Sequence, residues 1–169
     1  MKFTPQSIPD VLLIEPTIHS DGRGYFTETF RQDLFEDAIG YKVNFIQDNE
    51  SKSTKGVLRG LHYQLLPYTQ AKLVRVIEGS VLDVAVDIRK SSPTFGQHVA
   101  VELTAQNKHQ LFAPHGFAHG FVVFSDSATF AYKVDNYYSP NHDRGIAFDD
   151  DQLKIDWQLS AEELQLSDK

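Results

Sequence analysis

A histidine, an arginine and a glutamine interrupt residues 55–64, a segment otherwise composed like a buried β-strand. His62 can exchange a proton near neutral pH, and Arg59 can bind an anion. In strict alternation Gln64 shares a face with His62, while Arg59 points to the opposite face. Gly60 lies between them and permits a bulge that would re-aim one of the two. We interpret the segment as a strand lining a ligand cavity. An ordinary strand with a core histidine and a surface arginine fits the same residues.

Three more polar side chains stand in the middle of strand-like runs. Lys72 alternates with two valines, Asp83 with a valine and an alanine, and Tyr132 with a phenylalanine and a valine. Lysine and aspartate are rarely buried without a partner, so inward-facing Lys72 and Asp83 would form a polar floor in an apolar pocket. The alternatives are solvent-facing charges on edge strands and a core tyrosine with a hydrogen-bonded hydroxyl.

These residue types suggest two kinds of chemistry. In the first, His62 acts as a base, Tyr132 as an acid, and Lys72 stabilises developing negative charge on oxygen. In the second, His62, His119 and a carboxylate bind a divalent metal in a β-barrel. The metal pattern common in cupins has two histidines one residue apart, and no His-x-His occurs in the chain. We therefore favour the metal-free chemistry. A non-catalytic carbohydrate-binding domain is a third possibility that spacing leaves open.

Strands and one helix are expected to position these residues. Residues 8–14 and 25–30 are predicted strands, and Glu28 lies on an aromatic face of the second. Apolar residues at helical spacing predict a helix over 32–39, with Gly40 closing it. Residues 43–49 predict another strand with Gln47 and Asn49 on one face.

From residue 71 to 134 the pattern is β almost throughout. Glu78-Gly79 predicts a hairpin between two strands, and Pro114-His115-Gly116 predicts a tight turn that leads into a strand bearing His119. Ser160 and Glu163 have capping-box spacing, so a short terminal helix is expected. Short, regularly spaced strands predict an all-β sandwich or barrel, and no linker or repeat divides residues 1–169, which we expect to form a single domain.

Composition narrows the function classes. The chain has 169 residues, 41% hydrophobic and 23% charged, which is typical of a globular protein. A net charge of −7 argues against a general nucleic-acid or membrane-surface binder, although a local basic pocket is compatible with it. Cysteine is absent, which excludes disulfides and thiolate metal sites. No apolar run suits a signal peptide or a membrane span, so the expected location is the cytoplasm.

The residues also carry a specific resemblance. The chain resembles the dTDP-4-dehydrorhamnose 3,5-epimerase family, enzymes with a cupin-like jelly-roll fold, over essentially its whole length. The resemblance is carried by several motifs in the same order, at residues 21–24, 47–51, 55–64, 70–75, 83–89, 92–96, 114–121 and 136–140. It implies a cupin-like jelly-roll barrel or sandwich with short peripheral helices.

The resemblance also implies a reaction. The family inverts C3 and C5 of a dTDP-4-keto-6-deoxyhexose, with His62 as the base, Tyr132 as the acid and Lys72 near the enolate oxygen. No metal and no cofactor are implied. In the family a carboxylate orients the histidine, which here would be Asp83 or an aspartate of the C-terminal segment. Enzymes that invert only C3 or only C5 use the same pair, so the resemblance leaves double and single epimerisation open.

By the same resemblance a further set of residues contacts the nucleotide sugar. Arg23 and Arg59 are expected at the diphosphate, His119 at the sugar or phosphate, and Tyr138 stacked on thymine. The remaining expected contacts are Glu28, Gln47, Asp48, Asn49, Asp143 and Lys169. A second subunit completes the nucleotide site in the family, which implies a homodimer.

Two departures from the family pattern are visible. Family members continue past a Leu-Ser-x-Lys segment into an aspartate, whereas this sequence reads Leu166-Ser167-Asp168-Lys169 at its end. We therefore expect that the sequence given stops short of that aspartate, that Asp168 substitutes for it, or that Asp83 is sufficient. Asp143 stands where a glutamate is common.

Overall fold

The computed structural model describes residues 1–167 and consists mainly of antiparallel strands. One α-helix, α1 (Gln32–Ile39), lies among them. The strands are β1 (Lys2–Pro5), β2 (Leu12–Glu15), β3 (Ile18–Asp21), β4 (Gly24–Thr27), β5 (Gln47–Thr54), β6 (Leu58–Gln64), β7 (Lys72–Glu78), β8 (Ser80–Asp87), β9 (His98–Thr104), β10 (Gln110–Ala113), β11 (Phe117–Val123), β12 (Ser127–Val134) and β13 (Asp143–Gly145).

The strands form two sheets packed face to face, as expected for an all-β sandwich. A six-stranded sheet has the order β1-β2-β10-β7-β12-β5, and a five-stranded sheet has the order β13-β6-β11-β8-β9. The small β3-β4 sheet stands apart. Alternate residues of the two large sheets meet in one buried apolar cluster, which includes Val74, Val81, Phe121 and Phe130. This interdigitation of inward side chains gives the sandwich its core.

Strand β8 is buried on both faces. Its inward side chains Val81 and Ala85 belong to the interior cluster, and its outward Val84 packs in a second cluster on the back of the five-stranded sheet. Residues of the C-terminal segment cover that back, with Trp157 only 6% exposed. The Trp157 indole N–H donates to the carbonyl of Phe148 at 2.8 Å. The C-terminal segment therefore covers the outer face of the five-stranded sheet, which carries most of the candidate site.

Helix α1 covers the outer face of the six-stranded sheet. It spans the predicted residues 32–39 and ends at Gly40, whose φ of 80° is the left-handed conformation that glycine adopts without strain. The fully buried Phe35 packs edge-on against Phe112 of β10, with 5.0 Å between the two ring centroids. Among residues 1–167 no helix is long and apolar enough to cross a membrane.

Several predicted elements differ from the structure at the N-terminal end. The strand expected over 8–14 is a turn followed by β2, because the Val11 amide donates to the carbonyl of Ile8. Residues 43–46 are not a strand, since Phe45 packs against Phe35 of α1, with 5.6 Å between the two ring centroids. The strand predicted over 25–30 ends at Thr27, so Glu28 follows β4.

Two other predictions were wrong. Strands β7 and β8 flank Gly79 but lie in different sheets, so the turn carries the chain across the sandwich instead of closing a hairpin. Both the amide and the hydroxyl of Ser160 donate to Glu163, yet the segment remains a turn. The capping box is only half formed, because the Ser160 hydroxyl binds the Glu163 carboxylate while the Glu163 amide donates to the Ser160 carbonyl.

Candidate active site

A bulge in β6 brings Arg59 and His62 to the same face of the strand. Arg59 is the register partner of Phe121 and His62 that of His119, so three steps along β6 oppose two along β11. Gly60 absorbs the extra residue with a φ of 136°. The Arg59 Nε donates to the Ser53 hydroxyl of the opposite sheet at 2.9 Å, which places this face inside the sandwich. The bulge that the sequence permitted is present.

Next to His62, a buried carboxylate and imidazole form a pair. Nε2 of His119 lies 2.9 Å from Oδ1 of Asp83, and the two residues are 7% and 0% exposed. With the carboxylate accepting, Nε2 carries the proton of the imidazole. Oδ2 of Asp83 has no hydrogen-bond partner among the described residues. The pair therefore fixes the orientation of His119 inside the sandwich.

The pairing corrects one expectation. Of the two carboxylates considered for orienting His62, Asp83 is hydrogen-bonded to His119. The strand register explains this pairing. Asp83 on β8 lies opposite Phe121 on the neighbouring strand β11, one inward position from His119. His62 lies on β6, one strand further away. Asp168 lies outside the described residues.

Lys72 and Tyr132 face this group from the six-stranded sheet. Both are half-buried and share their strand faces with interior residues Val74 and Phe130. Burial lowers the pKa of Lys72 to about 8, although the carboxylates of Asp143 and Asp83 act in the opposite direction.

Tyr132 has the opposite shift. Burial raises the pKa of its phenol, and the positive charge of Arg59 opposes this increase in part. The Phe130 ring lies 6.1 Å from both the Tyr132 ring and the His119 ring, and so bridges the two sheets. We call the six residues from the two facing sheets the inner polar cluster: Arg59, His62, Lys72, Asp83, His119 and Tyr132.

Gln47 and Asn49 lie on the inward face of β5, beside the inner polar cluster. They join each other through a hydrogen bond of 2.7 Å from the Gln47 amide, and Asn49 is the register partner of Tyr132. Asp48 alternates to the outer face, where its carboxylate accepts from Lys133 at 2.9 Å. Its side chain therefore does not join the other two, contrary to the grouping expected from the sequence.

Tyr138 lies in the loop after β12, close to Asp143, the first residue of β13. The Tyr138 hydroxyl donates to the Asp143 carboxylate at 3.3 Å, and that negative charge raises the pKa of Tyr138. The Tyr138 side chain is 57% exposed, so one side of the ring is open to a ligand. Lys169, the last expected contact, lies outside the described residues.

Arg23 and Glu28 are not brought to the inner polar cluster within the described chain. Arg23 sits in the β3-β4 turn and forms an exposed ion pair with Asp21 at 2.6 Å. The β3-β4 sheet pairs with no other strand of residues 1–167, and Phe26 on it is 69% exposed.

Two residues with structural links to the cluster were not assigned a role from the sequence. Ser53 binds Arg59 and is 7% exposed; its only sequence signal was alternation with Gln47 and Asn49. Gln64 is 5% exposed and shares the inward face with His62, as alternation indicated.

Two grooves occupy the outer side of the six-stranded sheet. One, of about 290 Å³, is lined by Asp48, Arg75 and Lys133 among others, and one of about 510 Å³ by Arg89 and His115 among others. Asn49 and Tyr132 also line the first groove, but neither groove contains His62, Lys72 or His119. The chemistry of the side chains, not the volume of the grooves, therefore locates the candidate site between the sheets.

The inner polar cluster combines an imidazole, a phenol and an ammonium group. Such a set can remove a proton from a carbon acid, hold the resulting negative charge on oxygen and return a proton. Residues 1–167 contain no group of three or more His, Cys, Asp or Glu side chains placed to hold a metal ion. The guanidinium of Arg59 adds a donor suited to phosphate.

Comparison with known proteins gives one consistent family. Residues 5–169 match the family model described as dTDP-4-dehydrorhamnose 3,5-epimerase. The chain is 59% identical to the dTDP-4-dehydrorhamnose 3,5-epimerase of Shigella flexneri over 159 residues, which cover 94% of this chain and 88% of the relative.

Solved structures agree with the sequence match. The epimerase RmlC of Legionella pneumophila, in complex with dTDP-4-keto-L-rhamnose, superposes with a TM-score of 0.95 at 51% identity, covering 99% of this chain and 88% of that one. A double mutant of ChmJ, a 3'-monoepimerase of Streptomyces bikiniensis in complex with dTDP, gives a TM-score of 0.90 at 35% identity and covers 97% of this chain and 82% of that one. In that mutant a histidine is replaced by asparagine and a tyrosine by phenylalanine.

Proposed function

The chain belongs to the dTDP-4-dehydrorhamnose 3,5-epimerase family, and on that premise we propose that it converts dTDP-4-dehydro-6-deoxy-D-glucose to dTDP-4-dehydro-L-rhamnose. The observation that carries the proposal is the placement of the inner polar cluster on two facing sheets. His62 comes from one sheet, and Lys72 and Tyr132 come from the other. A sugar ring held between the sheets would have proton-transferring groups on both sides.

The chemistry follows from the ketone at C4. It acidifies the hydrogens on C3 and C5, so His62 can take a proton from either carbon. The electron pair of the broken C–H bond moves into the ring and places negative charge on the ketone oxygen. The Lys72 ammonium group stabilises that charge.

Return of a proton completes each inversion. Tyr132 donates its phenolic proton to the opposite face of the same carbon, and the carbonyl re-forms. His62 then releases its proton to solvent and Tyr132 takes one up, so that the pair can act on the second carbon. Burial raises the pKa of Tyr132, which keeps the phenol protonated and ready to donate at neutral pH. The ketone itself accepts the electron pair, so the proposed reaction needs no cofactor.

The spacing of two residues supports these roles. The histidine and the tyrosine replaced in the ChmJ double mutant are 70 positions apart, as are His62 and Tyr132 in this chain. Replacement by asparagine and phenylalanine removes a base and an acidic proton while keeping side-chain size.

The nucleotide part of the substrate is proposed to bind beside the inner polar cluster. Arg59 suits the diphosphate, His119 can contact the sugar or phosphate, and Tyr138 offers an open ring for thymine. Gln47 and Asn49 are proposed to contact the nucleoside, and Asp143, which lies near Lys72, is a further proposed contact from the same chain.

We further propose a homodimer. The exposed Phe26 and the position of Arg23 and Glu28, away from the inner polar cluster, are consistent with a β3-β4 hairpin that reaches the site of a second copy. Size-exclusion chromatography with light scattering tests the dimer; a monomer with full activity would contradict it. The cytoplasmic location expected from the sequence is kept as part of the proposal.

The decisive experiment is solvent exchange. We expect deuterium from D₂O to enter both C3 and C5 when the protein is incubated with dTDP-4-dehydro-6-deoxy-D-glucose, as followed by NMR. Label at one carbon alone would identify a monoepimerase, and label at neither would overturn the assignment. The His62→Asn variant is the matched control, and a chelator is expected to leave the exchange rate unchanged.

A further inference from the structure

Gln64 joins strand β6 to two loops at the edge of the candidate site. Its buried amide lies on the inward face, two residues past His62. Nε2 donates to the carbonyls of Tyr68 at 2.6 Å and Tyr137 at 3.1 Å. Oε1 accepts from the Ser139 amide at 2.6 Å. One side chain thus satisfies three backbone groups from two loops.

The same two loops are joined at other points. The Asn136 side chain donates to the carbonyl of Pro67 at 3.1 Å, and the Gln70 side chain donates to the carbonyl of Asn136 at 2.8 Å. The Tyr68 ring lies 4.5 Å from the His142 ring. Residues 65–71 and 136–142 therefore behave as one unit that is attached to β6 through Gln64.

The position of Tyr138 follows from these contacts. Gln64 binds the backbone on both sides of it, at Tyr137 and Ser139. Within residues 1–167 the exposed Tyr138 ring makes one side-chain hydrogen bond, to Asp143, whose own backbone pairs with Gln64. The ring is held mainly through its backbone, because most of its surface is open to solvent.

We propose that Gln64 is a positioning residue that sets the distance between the nucleotide-stacking ring of Tyr138 and the proton-transferring imidazole of His62. Through it, the nucleotide half of the substrate meets a preformed stacking ring, so that the role of Gln64 is in binding. This inference rests on the proposed function, in which Tyr138 stacks on thymine. Gln64 itself does not touch the reacting atoms.

The first test separates binding from chemistry. In Gln64→Leu the three backbone groups lose their partner and residues 136–142 shift, so we expect KM for the dTDP-sugar and Kd for dTDP to rise about tenfold, within the range of one base–aromatic stack. The kcat should stay within about twofold, because His62 and Tyr132 keep their strands. Gln70→Leu is the matched control; it joins the same loops away from Tyr138, and its Kd should change less than about threefold.

A double-mutant cycle tests whether Gln64 acts through Tyr138. If it does, Tyr138→Ala in the Gln64→Leu background raises Kd for dTDP no further than Tyr138→Ala alone. Additive effects, or a fall in kcat equal to the rise in KM, would overturn the proposal. Should Gln64→Leu fail to fold, Gln64→Glu keeps the shape while removing the amide donors, and the same cycle applies. Absence of dTDP binding and exchange in the wild-type protein would instead overturn the proposed function.

Discussion

The two faces of strand β6 have opposite character. The inward face carries Arg59 and His62, which are exposed and polar, whereas the outward face carries Leu58 and Leu61, which are 4% and 0% exposed. The C-terminal segment covers the outward face and is tied to the strand by the Leu58 amide, which donates to the carbonyl of Gln165 at 3.0 Å. One strand therefore holds the site on one side and its packing on the other.

This difference indicates that stability and function depend on different side chains of β6. Large apolar side chains on the outward face are withdrawn from water, which stabilises the fold. The inward polar groups contribute little to packing, so replacing them should affect chemistry without unfolding the protein. The bulge at Gly60 affects both faces, because it sets the positions of Leu58 and Leu61 as well as those of Arg59 and His62.

The largest effect is expected on the inward face. His62→Asn removes the base, so kcat should fall roughly 10²- to 10⁴-fold, as for other lost general bases. The thermal unfolding temperature should stay close to that of the wild type. Initial rates with dTDP-4-dehydro-6-deoxy-D-glucose and calorimetry measure the two quantities. A variant that also unfolds early would contradict the separation of the two faces.

The reverse result is expected one residue away. Leu61→Ala leaves a cavity in the packing behind the strand and should lower the free energy of unfolding by about 2–5 kcal/mol. At a temperature where the variant is folded, its kcat/KM should remain within a fewfold of the wild-type value. Urea denaturation provides the measurement, and an unchanged unfolding midpoint would show that the covered face is not essential to stability.

Gly60→Ala should affect both faces together. A Cβ at this position would lie 2.5 Å from the Gly120 Cα and 2.8 Å from the His119 carbonyl oxygen, at a φ of 136° that alanine disfavours. We expect about 3 kcal/mol of destabilisation, together with lower kcat/KM because Arg59 and His62 are displaced. Gly22→Ala, where a Cβ meets nothing within 4 Å, is the control for stability. Loss of stability without loss of activity would mean that the bulge does not align the site.

The pH dependence of turnover should report Lys72. Because its pKa is lowered to about 8 by burial, the ammonium group is lost above that pH and kcat/KM should fall, approaching tenfold per pH unit. Lys72→Arg should move this fall to higher pH, although its rate is lower overall. Between pH 8 and about 10.4 the unfolded chain binds more protons at this residue, so its contribution to stability rises with pH. The fall in rate is therefore not unfolding, and a flat profile to pH 10 would exclude Lys72 from the reaction.

The smallest effect is expected from His115, outside the inner polar cluster. Its hydrogen bond to Asp135 at 2.6 Å raises the pKa of the imidazole. The pair should stabilise the fold below the unfolded-state pKa of about 6.5, and the effect should disappear as pH rises through the higher folded value. Since the ring is 51% exposed, we expect less than about 1 kcal/mol. Urea denaturation of His115→Gln and the wild type at pH 5.5 and 9 tests the sign; a larger difference at pH 9 would contradict it.

Sequence alone predicted the parts of the fold that depend on local pattern. Alternation put Lys72 on one face with Val74 and Tyr132 on one face with Phe130 but left open which faces point inward, whereas helical spacing with Gly40 gave both ends of α1. Glu78-Gly79 was misread, because the residues of a tight turn do not reveal whether the next strand joins the same sheet or the opposite one. That choice is made by the packing of the whole sandwich.

The candidate site, like the fold, was predicted only where local sequence pattern is enough. Residue types identified the imidazole, the phenol and the ammonium group, and a glycine indicated where β6 could bulge. The partner of Asp83 required knowledge of which strands are neighbours, because His119 is 36 residues away in sequence. Gln64 is a polar residue in an apolar segment of the sequence. Its proposed role depends on two loops whose proximity no local pattern predicts.

The long separation between β2 and β10 has a consequence for synthesis of the chain. Leu12 and Phe112 are register partners, so β2 emerges from the ribosome about a hundred residues before the strand that completes its pairing. Until then the edge of β2 that pairs with β10 has no partner, and an unpaired strand edge is prone to pair with other chains. The six-stranded sheet can therefore close only after the second half of the polypeptide has been made, and pairing between strands so distant in sequence slows folding.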